Sequence, residues 1–232
     1  MGPEATTRRA RGTPLQRHAL QCATDSGKGG MAKGAAVRQF GIRRALARAV
    51  LRLGGWSLET GVPDGRRYVL IAAPHTSNWD FIWLLALAWS VDVDLRWMGK
   101  ASLFIWPLGP LFRALGGIAI QRDRRTNMVD GTVAAFAQGG DLVVTVPPEA
   151  TRSHSRYWRS GFYHIARLAK VPLVLGYLDY ARRRGGLGPR LDPTGDVVAD
   201  MNIIRAFYAD KQGRYPALFG VPRLREEDEL LG

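Results

Sequence analysis

The chain has 232 residues, 46% of them hydrophobic, one cysteine and a net charge of +13. A single cysteine (Cys22) excludes an intrachain disulfide and zinc-finger spacing, and His18, His75, His154 and His164 form no HxxxH or HExxH pattern, so no metal site is expected. Residues 1–67 hold 13 Lys/Arg against 4 Asp/Glu, an asymmetry that points to an anionic partner, either nucleic acid or a membrane surface.

Residues 1–33 are rich in Arg, Thr, Gly and Ala and poor in large apolar side chains, so a disordered N-terminal extension is expected there. No continuous apolar run marks a secretory signal. Met31 offers an alternative start to Met1. Residues 34–55 have helical periodicity: Ile42, Leu46, Val50 and Leu53 fall on one face, and Arg44, Arg48 and Arg52 on another. This is a basic amphipathic helix, stopped by Gly54 and Gly55.

From residue 56 to 232, strands and helices alternate. "WSLETGV" and "RRYVLIAA" read as strands joined by a "PDG" turn. A helix follows over about 79–91, then a strand at "DLRWMG". Pro107 and Pro110 break residues 100–116 into one or two short helices. "GIAI" is a strand, 126–140 a helix, "DLVVTV" a strand, "GFYHIARLAKV" a helix and "PLVLGYLDY" a strand. A hairpin-like "ARRRGGLGPRLDP", a helix near 200–212 and an acidic tail complete the chain. The pattern predicts a single α/β domain with a mainly parallel central sheet flanked by helices, preceded by the basic helix. No segment reaches the roughly 20 apolar residues of a membrane span; "FIWLLALAWSV" is too short. Five tryptophans between Trp79 and Trp106 suit a membrane interface.

In such sheets, loops at the carboxyl ends of strands gather into a site. The loop after 68–73 reads "PHTSNWD". His75 follows the strand and Asp80 falls in the first turn of the next helix, with Ser77 or Asn78 as its cap. A carboxylate there can hold one imidazole nitrogen and leave the other to take a proton from a hydroxyl. The spacing alone also fits a loop histidine with no task. The loop after "GIAI" carries Arg122, and the loop after "DLVVTV" carries Glu149 and Arg152. Arginines at strand ends suit a phosphate. No G-x-S-x-G elbow makes Ser77 a nucleophile. A backbone N–H near residues 76–78 is the candidate oxyanion donor.

"HTSNWD", "GGIAIQR", "PPEATRS" and "AKVPLVLG", in this order, resemble the four blocks of the glycerolipid acyltransferase family, which includes the 1-acylglycerol-3-phosphate acyltransferases. The resemblance implies that His75 is the general base and Asp80 its partner. It implies that Arg122, Glu149, Thr151 and Arg152 bind the acceptor and that Pro172 is structural. It also implies a fatty acyl group moved from acyl-CoA or acyl-ACP to a lysophospholipid hydroxyl, without any further cofactor. The expected partners are the two substrates and an anionic membrane surface, with no nucleic acid. The enzyme would lie peripherally on the cytoplasmic face. Two departures bear on the acceptor: Ala150 stands where the third block has glycine, and Pro74 where many members have asparagine. An acyltransferase acting on another lipid or small alcohol is the alternative, and a basic nucleic-acid-binding protein is the reading from a different class.

Overall fold

The computed structural model describes residues 31–59, 64–120 and 125–231. Of the extension expected to be disordered over 1–33, residues 1–30 lie outside the described residues, as does Arg122, and residues 31–33 belong to the first helix. The elements run α1 (Met31–Leu53), β1 (Ser57–Leu58), β2 (Arg67–Ala73), α2 (Trp79–Ser90), β3 (Leu95–Lys100), a 3₁₀ turn (Ala101–Phe104), α3 (Gly109–Ala114) and β4 (Gly117–Ile120). They continue with α4 (Arg125–Ala137), β5 (Leu142–Val146), α5 (Gly161–Ala169), β6 (Leu173–Asp179), β7 (Arg184–Leu191), α6 (Val197–Tyr208) and α7 (Arg225–Leu231).

The seven strands form one sheet in the order β1-β7-β6-β2-β5-β3-β4. All neighbours are parallel except β6 and β7. The hairpin-like segment after β6 is thus a real antiparallel partner strand, short enough in connection to need no crossover helix. The strand expected at "WSLETGV" shrinks to Ser57–Leu58. The tail is helical as α7.

β2 and β6 are buried on both faces, as parallel strands covered by helices must be. Alternation sorts their side chains. Val69, Ile71, Leu173 and Leu175 point to the layer built by Phe136 of α4, Phe162 and Ile165 of α5, and Met201 and Ile204 of α6. Leu70 and Val174 point the other way, to Ala88 of α2. Fully burying one such side chain is worth about 1.5–3 kcal/mol. On the α2 side, α1 packs through Ala47 and Leu51 onto Ala86 and Leu87 of α2 and Leu178 of β6. Small alanines on both helices allow this close approach.

The face of α1 expected to be apolar is therefore divided. Val50 is half-buried in this contact, while Ile42, Leu46 and Leu53 are exposed. Arg44 is engaged in an ion pair with Asp92, and the Arg43 guanidinium lies over the Trp89 ring at 5.4 Å. No helix of the described residues is long and apolar enough to cross a membrane.

Candidate active site

β2, β5 and β6 are adjacent and parallel, so their carboxyl ends lie side by side. The loop after β2 carries His75, the loop after β5 carries Glu149, Thr151 and Arg152, and β6 ends at Asp179, followed by Tyr180. β4, the strand that precedes Arg122 in the chain, is two strands away from β5 in the sheet order.

His75 Nδ1 lies 3.3 Å from Asp80 Oδ2. The contact is built locally. Asp80 sits in the first turn of α2, and its Oδ2 accepts the Ser77 N–H at 2.8 Å, bending the carboxylate back over the loop. Ser77 Oγ in turn accepts the Trp79 N–H at 3.2 Å. This is half of a capping box: the acid satisfies the N–H of the serine three residues before it, while the serine hydroxyl takes the N–H of Trp79 rather than that of Asp80. Asn78 occupies the cap position without a side-chain cap bond. The helix N-terminus favours a carboxylate there. Because Nδ1 faces the acid, Nε2 is left for a substrate hydroxyl. The imidazole is about one-fifth exposed, whereas the Asp80 side chain is buried. Ser77 N–H is committed to Asp80, which removes it from the candidate oxyanion donors.

Two residues from other strands complete the surroundings of this pair. Tyr180 Oη donates to Asp80 Oδ1 at 2.6 Å. Burial and this bond hold the phenol well above the usual tyrosine range, so it stays a donor. Glu149 Oε1 accepts the His75 backbone N–H at 2.9 Å. Glu149 is 4% exposed, and its Oε2 has no hydrogen-bond partner among the described residues. Burial pushes its carboxyl up to about 7, the His75 contact offsetting part of that and the nearby Asp80 charge adding to it. The structure therefore places Glu149 beneath the His75 loop. Thr151 and Arg152, by contrast, are exposed on the loop beyond it, where Thr151 Oγ1 accepts the Ser153 N–H at 3.2 Å.

Ala150 takes a left-handed backbone, φ 56°. The conformation that suits glycine is kept, and the methyl group is accommodated in it at some strain. Behind the loop, Thr76 Oγ1 accepts the Tyr215 N–H at 3.2 Å. A Cβ at Gly213 would stand 2.7 Å from that oxygen, so the 213–215 segment can approach only with glycine there.

The sequence reading missed Tyr180, Thr76 and Gly213. Thr76 and Gly213 had no signal at all. Tyr180 had one faint signal, a tyrosine just past an apolar strand, which becomes informative only once β6 is known to flank β2.

A model of the acyltransferase family matches residues 58–175, half of the chain. The chain belongs to the acyltransferase family. It is an enzyme of acyl transfer, and the matched span contains His75, Asp80, Glu149, Thr151 and Arg152. Among solved structures, the 1-acyl-sn-glycerophosphate acyltransferase PlsC from Thermotoga maritima shares the fold, with a TM-score of 0.57 over 84% of this chain and 86% of that one, at 14% identity. Among curated proteins, none matches the chain in sequence. The α/β domain with its mainly parallel sheet is thus the acyltransferase domain of this family.

Proposed function

We propose that this acyltransferase moves a fatty acyl group from acyl-CoA or acyl-ACP to the free hydroxyl of a lysophospholipid, with 1-acylglycerol-3-phosphate as acceptor, in phospholipid biosynthesis. The observation that carries this is the His75–Asp80 contact at 3.3 Å, which leaves Nε2 unengaged by the acid. In the proposed reaction Nε2 takes the acceptor's hydroxyl proton as its oxygen attacks the thioester carbonyl. Asp80 stabilises the imidazolium that forms. The tetrahedral intermediate collapses, the C–S bond breaks, and the thiolate leaves with the proton returned by His75. The product is an ester and a free thiol. A placed base is worth roughly 10²–10⁴-fold, and holding both substrates adjacent supplies more.

Arg152 and Thr151, exposed on the β5 loop that follows Glu149, are assigned to the acceptor's phosphate and glycerol part, with Arg122 as the expected second guanidinium. Glu149 serves that site from below, by holding the His75 backbone. The fold shared with PlsC supports the choice of acceptor. The enzyme works at a membrane surface, drawn there by its basic charge, on the cytoplasmic side where the thioester donors are made.

The test is thiol release from an acyl thioester by the purified chain. Release should depend on added 1-acylglycerol-3-phosphate and yield diacylglycerol phosphate by mass spectrometry. Release that depends only on phosphate-free alcohols would overturn the assignment of the acceptor.

A further inference from the structure

Helix α2 starts directly after the catalytic loop, and its first turns leave Trp79 and Ile82 exposed to 48% and 43%. On one flank, Trp83 stacks on Trp56 at 5.2 Å, tying α2 to the end of α1. On the other, Phe81 meets Trp97 of β3 edge to face at 4.7 Å. Trp97 in turn packs on Phe104 and Phe112, which anchor the 3₁₀ turn and α3. Trp97 lies two residues beyond Leu95 on β3 and so points to the same face, and the Leu95 side chain joins the α2 side of the core. The Ala101–Ala114 segment therefore lies on the same face of the sheet as α1 and α2.

That segment is pinned from beneath and apolar above. Ile105 is 67% exposed, Trp106 86%, Leu108 55% and Leu111 52%. A soluble surface seldom gathers so many large apolar side chains in seven residues. The charges within the segment have one sign. Residues 95–120 contain no Asp or Glu, and Lys100 and Arg113 are exposed beside the apolar tip. Across the patch, the Arg214 guanidinium lies over the Trp79 ring at 5.7 Å. Apolar side chains rimmed by cations complement a bilayer with anionic headgroups, the cations meeting phosphates and the tip meeting acyl chains. A side chain as exposed as Trp106 projects outward, which suits insertion into a fluid phase, and its amphipathic ring suits the headgroup level.

We propose that the face formed by the Ile105–Trp106 tip and the first turn of α2 is a membrane-docking surface that seats the catalytic loop against anionic bilayers. The tip adds to whatever α1 contributes. Docking there puts Trp79, the chain neighbour of Asp80, at the lipid surface, so an acceptor reaches His75 without leaving the bilayer. This inference rests on the lysophospholipid reading above.

The experiment uses the full chain and the variant Ile105→Asp/Trp106→Asp. Flotation is measured with vesicles of equal parts phosphatidylcholine and phosphatidylglycerol, and activity with two acceptors: lysophospholipid embedded in those vesicles and a monomeric short-chain analogue. The expected result is at least a tenfold loss of vesicle affinity and of activity on the embedded acceptor, with activity on the monomeric acceptor unchanged. The conservative Trp106→Phe should float like the parent. A double variant that floats like the parent overturns the proposal. So does one whose only defect is a raised KM for acyl-ACP, which would make the face a protein dock. Failure of the acceptor assignment is read separately, because a parent without lysophospholipid activity would still float.

Discussion

The phenol of Tyr180, at the end of one strand, donates to the carboxylate of Asp80, in the helix that follows the neighbouring strand, at 2.6 Å. The same carboxylate holds His75 through its other oxygen. Tyr180 is thus a positioning residue. It orients the acid, and its own ring is held edge to face against Trp56 at 4.9 Å. Tyr180→Phe should lower kcat about tenfold, roughly 1.4 kcal/mol of transition-state stabilisation, with KM for both substrates within twofold. Steady-state kinetics on both substrates checks this. An equal rise in KM would instead place the phenol on the substrate.

His75→Ala should lower kcat by roughly 10²–10⁴-fold, since it removes the base. The fold should survive, because the imidazole lies in a loop and outside the core clusters. Asp80→Asn should also lose most activity. An amide can no longer stabilise the imidazolium, and its NH₂ can oppose the Ser77 N–H. Circular dichroism beside the thiol-release assay separates catalytic loss from unfolding.

Glu149 predicts a pH dependence of stability. Its folded carboxyl is raised to about 7, chiefly by burial. A group raised on folding favours the folded state fully below its unfolded value, near 4.5, and that contribution is lost as pH climbs through about 7. Glu149→Gln keeps an oxygen to accept the His75 N–H and removes the titration. The variant should be more stable than the parent at pH 8, by an amount on the order of 3 kcal/mol, and the two should converge near pH 4.5. Urea melts at both pH values read the difference.

Ala150→Gly should stabilise the protein by about 1 kcal/mol, because a left-handed φ of 56° carries a Cβ penalty that glycine lacks. The gain is partly offset by glycine's freedom in the unfolded chain. A rise in melting temperature of a few degrees is the expected reading; no rise would mean that the loop relaxes around the methyl group.

Arg152→Ala should raise KM for a phosphate-bearing acceptor about tenfold or more and leave KM for the thioester unchanged, since a charge-assisted bond is worth about 1.5–3 kcal/mol. For an acceptor without phosphate the variant should match the parent. Kinetics on a matched pair of acceptors decides it.

The sequence by itself determined the parts of this enzyme that are built locally. His75, Ser77 and Asp80 lie within six residues, and a helix start after a buried strand closes them into one hydrogen-bonded turn whatever surrounds it. Apolar runs and helical spacing likewise carried the α/β order, because periodicity is a property of neighbours along the chain. Only the tertiary structure decided what flanks the pair. Tyr180 and Glu149 reach it because β6 and β5 pair on either side of β2, and strand order is set by the packing of the whole sheet, with no trace in any one strand. The same holds for α1. Its pattern showed apolar residues at helical spacing, but which of them turn inward was settled by the close approach of Ala47 and Leu51 to α2, leaving Ile42, Leu46 and Leu53 outside. The apolar tip at Ile105 and Trp106 belongs to this second kind as well. In the sequence its tryptophan suits a membrane interface, but which aromatic side chains of the segment turn inward was decided by the packing of Phe104 and Phe112 against Trp97.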